Sequence, residues 1–367
     1  MLNNPHPIVN SQHMSNSIRP RKRKVLLEIF SQKLNLKPIC AAAEQSHKSF
    51  TSPGIIFALY GKTHNPLILG ATTYTMRLQR TLKKEVSFEG IGLHTGRHCR
   101  VCLKPAPRDT GILFIRTDKD SAIKASISSV SDTAFATTLG FNGAKIRTVE
   151  HILATFAGLG VDNAYVEVNG PEIPILDGSS IELTSLILDS GIAKQSKKRP
   201  YIRITRPVVL ADGHAEIAAF PYDGRRITYR IHFNHHLLGE QKMSLDLNEE
   251  SFALEIAPAR TFGFLKDVEY LKANGFARGG SFENAIILGE DGVLNSSGLR
   301  FKDEFVRHKI LDLIGDLSLL GFPIYGHIIA NKSGHTTNLK FMKKLLSQPD
   351  SWEMQSEFVE QPTLSYT

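Results

Sequence analysis

The residues with the clearest chemical pattern lie in a predicted helix, 303–320. Within it His308, Asp312 and Asp316 follow one another at intervals of four residues, so a helix places them in one line on its surface. An imidazole and a carboxylate on successive turns can bind the same metal ion. A solvated polar face with pairing between turns gives the same spacing. This pattern alone therefore leaves both interpretations open.

A second pair, Glu150 and His151, lies at the start of another predicted helix, 148–159. Thr148 is expected to cap this helix, which places both residues in its first turn. His151 could bind the metal ion while the adjacent Glu150 takes a proton from the attacking water as a general base. The alternative is a glutamate that interacts with the helix dipole, beside a histidine with a purely structural role.

Together, His151, His308 and Asp312 form a set of two histidines and one carboxylate, which leaves coordination positions open for catalysis. Zinc in such a site lowers the pKa of bound water to about 7. Ferrous iron in oxygenases uses the same three ligand types. Because an oxygenase has no equal need for a base such as Glu150, we predict a zinc hydrolase, with Fe2+ as the alternative metal.

A further histidine, His335, lies in the segment 331–338, between a predicted strand and the last predicted helix. Gly334 permits a tight turn before it, and functional residues are often held on loops by a rigid scaffold. As a cation, His335 could stabilise an oxyanion or protonate a leaving amine. It could also simply cap the last helix.

The three cysteines do not indicate a second metal site. Cys99 and Cys102 have the spacing of half a zinc knuckle, but they lie in a predicted strand, where an offset of three places them on opposite faces. No second pair completes a set of four ligands. So few cysteines exclude a disulfide framework and fit a reducing cytoplasm.

The charge of the chain is concentrated in its first segment. The net charge is +8, of which residues 1–75 carry about +7 through nine Lys/Arg and two acids. The rest of the chain therefore lacks a basic stripe, and no nucleic-acid partner is expected. The leader has three interpretations: a disordered tail, an organellar presequence, or an upstream start that is not used, with Met76 as the true start.

Four segments follow from the pattern of the chain: the leader 1–75, two domains at 76–198 and 199–347, and a C-terminal tail at 348–367. Each domain shows predicted strands followed by helix, strand and helix. This order predicts an α+β fold of two similar domains, each a small sheet with helices, the helices sandwiched between the sheets. No apolar run reaches the roughly 20 residues that cross a bilayer.

Seven motifs make the chain resemble the UDP-3-O-acyl-N-acetylglucosamine deacetylase family, the zinc amidases of bacterial lipid A synthesis. The motifs occur in one order over about 76–346: GIGLHTG at 90–96, TVEH at 148–151, PILDGS at 174–179, ARTFGF at 259–264, RGGSF at 278–282, DEFVRHKILDLIGD at 303–316 and SGH at 333–335. The family starts near the position of Met76, so the resemblance leaves the leader unexplained.

The resemblance implies a role for individual residues of this sequence. It implies zinc ligands at His151, His308 and Asp312 and a general base at Glu150. The other implied roles are an acid or electrostatic stabiliser at His335, a hydrogen bond to the oxyanion from Thr261, and substrate binding by Phe262, Lys309, Asp316 and Asp267, with Asp316 also orienting His335.

The resemblance also implies the reaction and its setting. The expected reaction is hydrolysis of the N-acetyl group of UDP-3-O-acyl-N-acetylglucosamine to a free amine and acetate, the committed step of lipid A synthesis. The expected fold has two α+β domains with the site at their junction, and an apolar passage in the second domain for the acyl chain. A monomeric, cytoplasmic enzyme is expected, unless residues 1–75 direct it to an organelle.

Overall fold

The computed structural model describes residues 76–235 and 238–356. The predictions for residues 1–75 lie outside this range, as does the part of the predicted tail 348–367 that follows residue 356. None of the helices within the described residues combines the length and apolarity that crossing a bilayer requires.

The first half of the described chain contains ten strands and two α-helices. The strands are β1 (Leu78–Leu82), β2 (Val86–Ile91), β3 (His98–Pro105), β4 (Ile112–Arg116), β5 (Ser121–Lys124), β6 (Val130–Asp132), β7 (Thr138–Phe141), β8 (Ala144–Ile146), β9 (Ala164–Val168) and β10 (Ile192–Lys198), and the helices are α1 (Glu150–Leu159) and α2 (Ile181–Ser190). Five strands form a sheet in the order β2-β3-β9-β4-β5, β6 to β8 form a small antiparallel sheet, and β1 pairs with β10.

The second half contains nine strands and three longer helices among the described residues. They are β11 (Tyr201–Ile204), β12 (Val208–Asp212), β13 (Ala215–Phe220), β14 (Arg225–His232), β15 (Glu240–Asp246), β16 (Phe262–Phe264), α3 (Leu265–Ala273), β17 (Ile286–Leu288), α4 (Glu304–Leu317), β18 (Ile324–Asn331), α5 (His335–Leu346) and β19 (Trp352–Gln355). Seven of these strands form one sheet around the central β18, while β16 and β17 form a separate parallel pair.

Helices α1, α2, α4 and α5 lie between the two main sheets. Helix α1 packs along α4, α4 packs on β14 and β15, α5 packs on β12 and β13, and α2 packs on β2. Buried side chains from both halves form one continuous apolar core. The predicted α+β arrangement is therefore confirmed.

A glycine sets how closely the two central helices approach each other. A Cβ atom on Gly315 of α4 would lie 2.1 Å from the carbonyl oxygen of Glu150 in α1. No side chain fits in that space, so the helix backbones meet here without one between them. The contact joins the first turn of α1 to the last turn of α4.

Several local predictions are wrong, and each for a physical reason. The brief apolar run at 251–256 predicts a strand, but this segment is helical, because Phe252, Ala253 and Ile256 are buried at helical spacing and Asn248 caps the turn. Helix α3 was not predicted, because none of its residues is buried and it shows no apolar stripe.

The prediction that Cys99 and Cys102 lie on opposite faces of a strand is confirmed. Cys99 is fully buried in β3 together with Val101 and Leu103, whereas Cys102 lies on the other face of the strand and is partly exposed. The alternation of a strand therefore keeps the two thiols apart.

Candidate metal centre

Three buried side chains from two helices converge on one point. One ligand atom from each of His151, His308 and Asp312 lies within 4.8 Å of the other two. The Oδ1 atom of Asp312 is 3.4 Å from Nε2 of His308 and 3.8 Å from Nε2 of His151. The structure thus brings together the three residues that the sequence predicts as metal ligands.

The helices position these ligands in two ways. His308 and Asp312 are one turn apart on α4, so the helical repeat alone places them together. His151 is the second residue of α1. It reaches the same point because α1 and α4 are in backbone contact at Gly315 and Glu150.

The protonation states of the three side chains suit a metal ion, which binds neutral imidazole and ionised carboxylate. Burial, reinforced by the neighbouring His308, lowers the pKa of His151 to about 3. Burial also lowers the pKa of His308. Burial opposes ionisation of Asp312, but the charge of Lys309, whose Nζ donates to Oδ2 at 2.6 Å, holds its pKa below the usual range.

The hydrogen bonds of the two imidazoles also fit a metal site. His308 donates from Nδ1 to the carbonyl oxygen of Ala259 at 3.1 Å, which leaves Nε2 facing the cluster as an acceptor. Nδ1 of His151 is buried and finds no hydrogen-bond partner within the described part of the chain. This nitrogen is not the one that faces the cluster, because Nε2 of His151 is the atom that approaches Asp312.

Glu150 lies beside the cluster in a dry environment. Its Oε2 accepts a hydrogen bond from the backbone N–H of Thr137 at 3.0 Å, and its Oε1 lies 3.8 Å from Nε2 of His335. Burial raises the pKa of Glu150 to about 8, although the positive charge of His335 opposes the shift. A carboxyl group with such a pKa can both accept and return a proton near neutral pH.

His335 is the first residue of α5, and its imidazole pairs with Asp316. Nδ1 donates to Oδ2 of Asp316 at 2.8 Å. Burial disfavours the charged imidazolium, but the charge and hydrogen bond of Asp316 outweigh it and raise the pKa of His335 to about 9. His335 is therefore a cation at neutral pH, facing the same space as Glu150.

Thr137 connects these groups, and sequence reasoning missed it. Its backbone N–H holds Glu150, and its hydroxyl donates to Oδ1 of Asp316 at 2.6 Å. Asn338 completes the environment of Asp316 by donating from Nδ2 to Oδ2 at 2.8 Å. Thr137 immediately precedes β7 in an ordinary Thr-Thr pair, and nothing in the local pattern indicates its role.

The turn before α1 is strained, and this corrects the prediction that Thr148 caps the helix. Thr148 has a φ of 59°, a left-handed conformation that β-branched residues rarely adopt. The cap position belongs to Val149, without a side-chain hydrogen bond. The hydroxyl of Thr148 donates instead to Oε1 of Glu172 at 2.8 Å.

Glu172 holds this strained turn from a fully buried position. Besides Thr148, it accepts hydrogen bonds from the backbone N–H groups of His94 and Thr95, at 2.9 and 2.7 Å, and from the hydroxyl of Thr95 at 2.6 Å. One carboxylate thus links three segments that are distant in sequence. Four donors satisfy the hydrogen-bonding capacity of this buried carboxyl group without water.

The other predicted residues lie at varying distances from the centre. The ring of Phe262 is edge-on to the ring of His308, with centroids 6.4 Å apart. Thr261, directly before it, is fixed by a backbone hydrogen bond to Gly178 at 2.7 Å. Asp267 is exposed in the first turn of α3 and joins none of the contacts described above.

The fold and this buried cluster of histidine and carboxylate side chains fit a metal-dependent hydrolase. The profile of the UDP-3-O-acyl N-acetylglycosamine deacetylase family matches residues 79–347. The chain belongs to that family.

Relatives from several bacteria agree with this result. A UDP-3-O-acyl-N-acetylglucosamine deacetylase of Thermodesulfovibrio yellowstonii is 54% identical over 271 residues, which are 74% of this chain and 92% of the relative. Enzymes with the same name from Oleidesulfovibrio alaskensis and Syntrophus aciditrophicus are 50% and 48% identical, covering 73% and 76% of this chain and 88% and 89% of the relatives.

Proposed function

We propose that the protein hydrolyses the N-acetyl group of UDP-3-O-acyl-N-acetylglucosamine to a free amine and acetate, in lipid A biosynthesis. The observation that carries this proposal is the buried cluster of His151, His308 and Asp312 with Glu150 and His335 beside it. Relatives at about half identity over most of their length bear the name of this deacetylase.

The proposed ligands are the two imidazoles and the carboxylate of Asp312, and the proposed ion is zinc, with ferrous iron as the alternative. A mixed nitrogen and oxygen donor set suits both metals. When bound, the ion would act as a Lewis acid toward the amide carbonyl and make water acidic enough to attack near neutral pH.

Glu150 is the proposed general base. The backbone N–H of Thr137 fixes one oxygen of its carboxylate, which leaves the other directed toward the space that it shares with His335. From there it takes a proton from the attacking water as the C–O bond forms. A base whose pKa lies near the working pH accepts and returns that proton most efficiently.

His335 and Thr261 are the proposed stabilisers of the charge that develops on the carbonyl oxygen. His335 is held as an imidazolium by Asp316, and a buried cation of this kind acts strongly because little water screens it. The leaving nitrogen needs a proton when the C–N bond breaks. Nε2–H of His335 or the protonated carboxyl of Glu150 supplies it, since both face the same space.

Lys309, Phe262 and Asp267 are the proposed contacts for the rest of the substrate. Apolar side chains exposed in the following segment support binding of the acyl chain there: Leu265 is 50% exposed, Tyr270 65% and Phe282 53%. Helix α3 buries none of its own residues, so its apolar surface is available to a ligand. Exposed apolar surface of this kind commonly marks a binding site.

The domain limits 76–198 and 199–347, a monomeric state and a cytoplasmic location remain predictions. Sedimentation equilibrium tests the monomeric state, and cell fractionation tests the cytoplasmic location. A dimer or a membrane-bound pool would contradict them.

Acetate release by the full chain tests the proposed reaction. The protein is assayed with UDP-3-O-acyl-N-acetylglucosamine as purified, after chelation, and after addition of Zn2+ or Fe2+. We expect loss of activity on chelation and recovery with metal. UDP-N-acetylglucosamine without the 3-O-acyl chain is the matched control and should react far more slowly. Failure of the folded, metal-loaded protein to release acetate from the acylated substrate would overturn the proposal.

A further inference from the structure

A cavity lies at the C-terminal ends of α1 and α4, and none of the three candidate metal ligands lines it. It has a volume of about 710 Å³ and lies between the two halves of the chain. Phe156, Ala157 and Gly160 contribute to it from the end of α1, and Leu317 and Leu320 from the end of α4. A cavity of this size is within the range of small-molecule sites.

The charges around this cavity are strongly unbalanced. Six basic side chains and two acidic ones line it: Arg77, Lys124, Lys197, Arg199, Arg225 and Arg226 against Asp109 and Asp162. The two helix ends each add only about half a negative charge. The cavity therefore has a positive potential.

Most of these basic groups already have an acidic partner. Arg77 binds Asp162 through two hydrogen bonds, at 2.6 and 2.8 Å, and Arg199 shares the same carboxylate at 2.8 Å. Lys197 pairs with Asp109 at 2.8 Å, and Arg226 pairs with Asp246 outside the cavity, also at 2.8 Å. These pairs account for the acids but not for all of the bases.

Two basic side chains, Lys124 and Arg225, are left over by these pairs. Lys124 is exposed, whereas Arg225 is half-buried, and within residues 76–235 and 238–356 the guanidinium of Arg225 has no hydrogen bond or ion pair. Burial lowers the pKa of Arg225, since little water is present to stabilise its charge. A guanidinium in this position is stabilised when an anion binds to it, and its planar donors suit a carboxylate or phosphate.

The remainder of the wall is apolar. Phe156, Leu319 and Ile328 are at most 3% exposed and line the cavity with other aliphatic side chains. The neutral polar groups are already engaged: Asn163 accepts from the N–H of Gly111 and donates to both Gln79 and Gln195. A ligand with many hydroxyl or amide groups would find few partners here.

We propose that this cavity binds an amphipathic anion, with its charged group on Arg225 and an aliphatic chain against the apolar wall. The leader, which is adjacent in sequence to Arg77, is a poor occupant because residues 1–75 carry about +7. The site does not involve the candidate metal ligands and is independent of the proposed function.

Calorimetric titration of the full chain with decanoate tests the proposal. We expect saturable binding, weakened at least about tenfold by Arg225→Gln, the loss typical of one hydrogen bond to a charged group. Ala157→Phe keeps the charge but fills the cavity with a larger side chain, and it should weaken binding similarly. Arg203→Gln, on the exposed face of β11, is the control and should leave the affinity unchanged.

Two further ligands test separately whether the charged group and the aliphatic chain are needed for binding. Decanol lacks the charge, and inorganic phosphate lacks the chain, so both should bind at least tenfold more weakly than decanoate. Decyl phosphate should bind as decanoate does if the site accepts either anion, and a large preference identifies the headgroup. Decanoate binding that is absent, or unchanged in both Arg225→Gln and Ala157→Phe, overturns the proposal, as does equal affinity for decanol.

Discussion

Helices α1 and α4 contribute to the same buried centre by different means. Helix α4 uses regularity, because His308, Asp312 and Asp316 follow one another at one-turn intervals. Helix α1 depends on an irregular approach, because Glu150 and His151 follow a left-handed turn at Thr148 that Glu172 holds in place. The side chains of α4 are therefore positioned by the helical repeat alone, whereas those of α1 are positioned by contacts between residues distant in sequence.

The largest effect is expected when the proposed base on α1 is removed while the three candidate metal ligands are kept. Glu150→Gln keeps the shape and the acceptor for the Thr137 N–H but cannot take a proton. We expect kcat to fall by about 10²- to 10⁴-fold, the usual contribution of a general base, with the metal content unchanged. Glu182→Gln, in the first turn of α2, is the control and should retain activity. Near-normal turnover in Glu150→Gln would remove the proposed base.

The second prediction concerns Thr137, the residue that links the two helices through Glu150 and Asp316. Thr137→Val preserves the backbone N–H and the shape but removes the hydroxyl that donates to Asp316. Groups that orient the residues of a metal site typically contribute 10- to 100-fold, so kcat/KM should fall by about this factor. Thr117→Val, at an exposed threonine directly after β4, provides the comparison. Equal activities of the two variants would show that the hydroxyl has no orienting role.

The third prediction compares how strongly Asp316 of α4 and Glu150 of α1 raise the pKa of His335. Its pKa is raised to about 9, so activity that needs the imidazolium is present below that pH and is lost as pH rises through it. A bound dication moves this limb to lower pH. Asp316→Asn should lower the pKa of His335 more than Glu150→Gln, since Asp316 lies at 2.8 Å and Glu150 at 3.8 Å. NMR titration of His335 measures both, and the reverse order would contradict the assignment.

The smallest effect is expected at the strained turn itself. Thr148→Ala loses the hydrogen bond to Glu172 and should lower the free energy of unfolding by about 1.5–3 kcal/mol. Thr148→Gly loses the same bond but relieves about 1–2 kcal/mol of backbone strain. The glycine variant should therefore be more stable than the alanine variant in urea denaturation. At ordinary positions the order is the reverse, because glycine loses more conformational entropy on folding. Thr110, which has no positive φ, should show the usual order for the same pair of changes.

The sequence predicts the α4 part of the site more completely than the α1 part. A helix has one repeat, so the alignment of His308 with Asp312 follows from their spacing, and the apolar stripe of the same helix is equally visible. In the α1 part, the hydrogen bond between Thr137 and Glu150 joins residues 13 positions apart in the sequence. The hydrogen bond between Thr148 and Glu172 joins residues 24 positions apart. No periodicity specifies such contacts, because they depend on where the whole chain places each loop.

The fold shows the same division. The buried helices α1 and α4 are predicted near their observed limits, as is the α+β class of the fold. Helix α3 is not predicted, because it buries none of its residues and its periodicity therefore carries no apolar signal. The helical segment at 251–256 is predicted as a strand, because a brief apolar run does not distinguish the two structures.

The contact between Gly315 and Glu150 has a consequence for mutational screens. Gly315 has no functional group, yet any side chain there must push apart the two helices that carry the site. A survey of inactivating substitutions would therefore rank this glycine with the ligands themselves. Intolerance to substitution identifies the residues that set distances as well as those that perform chemistry, and metal content separates the two only when the variants remain folded.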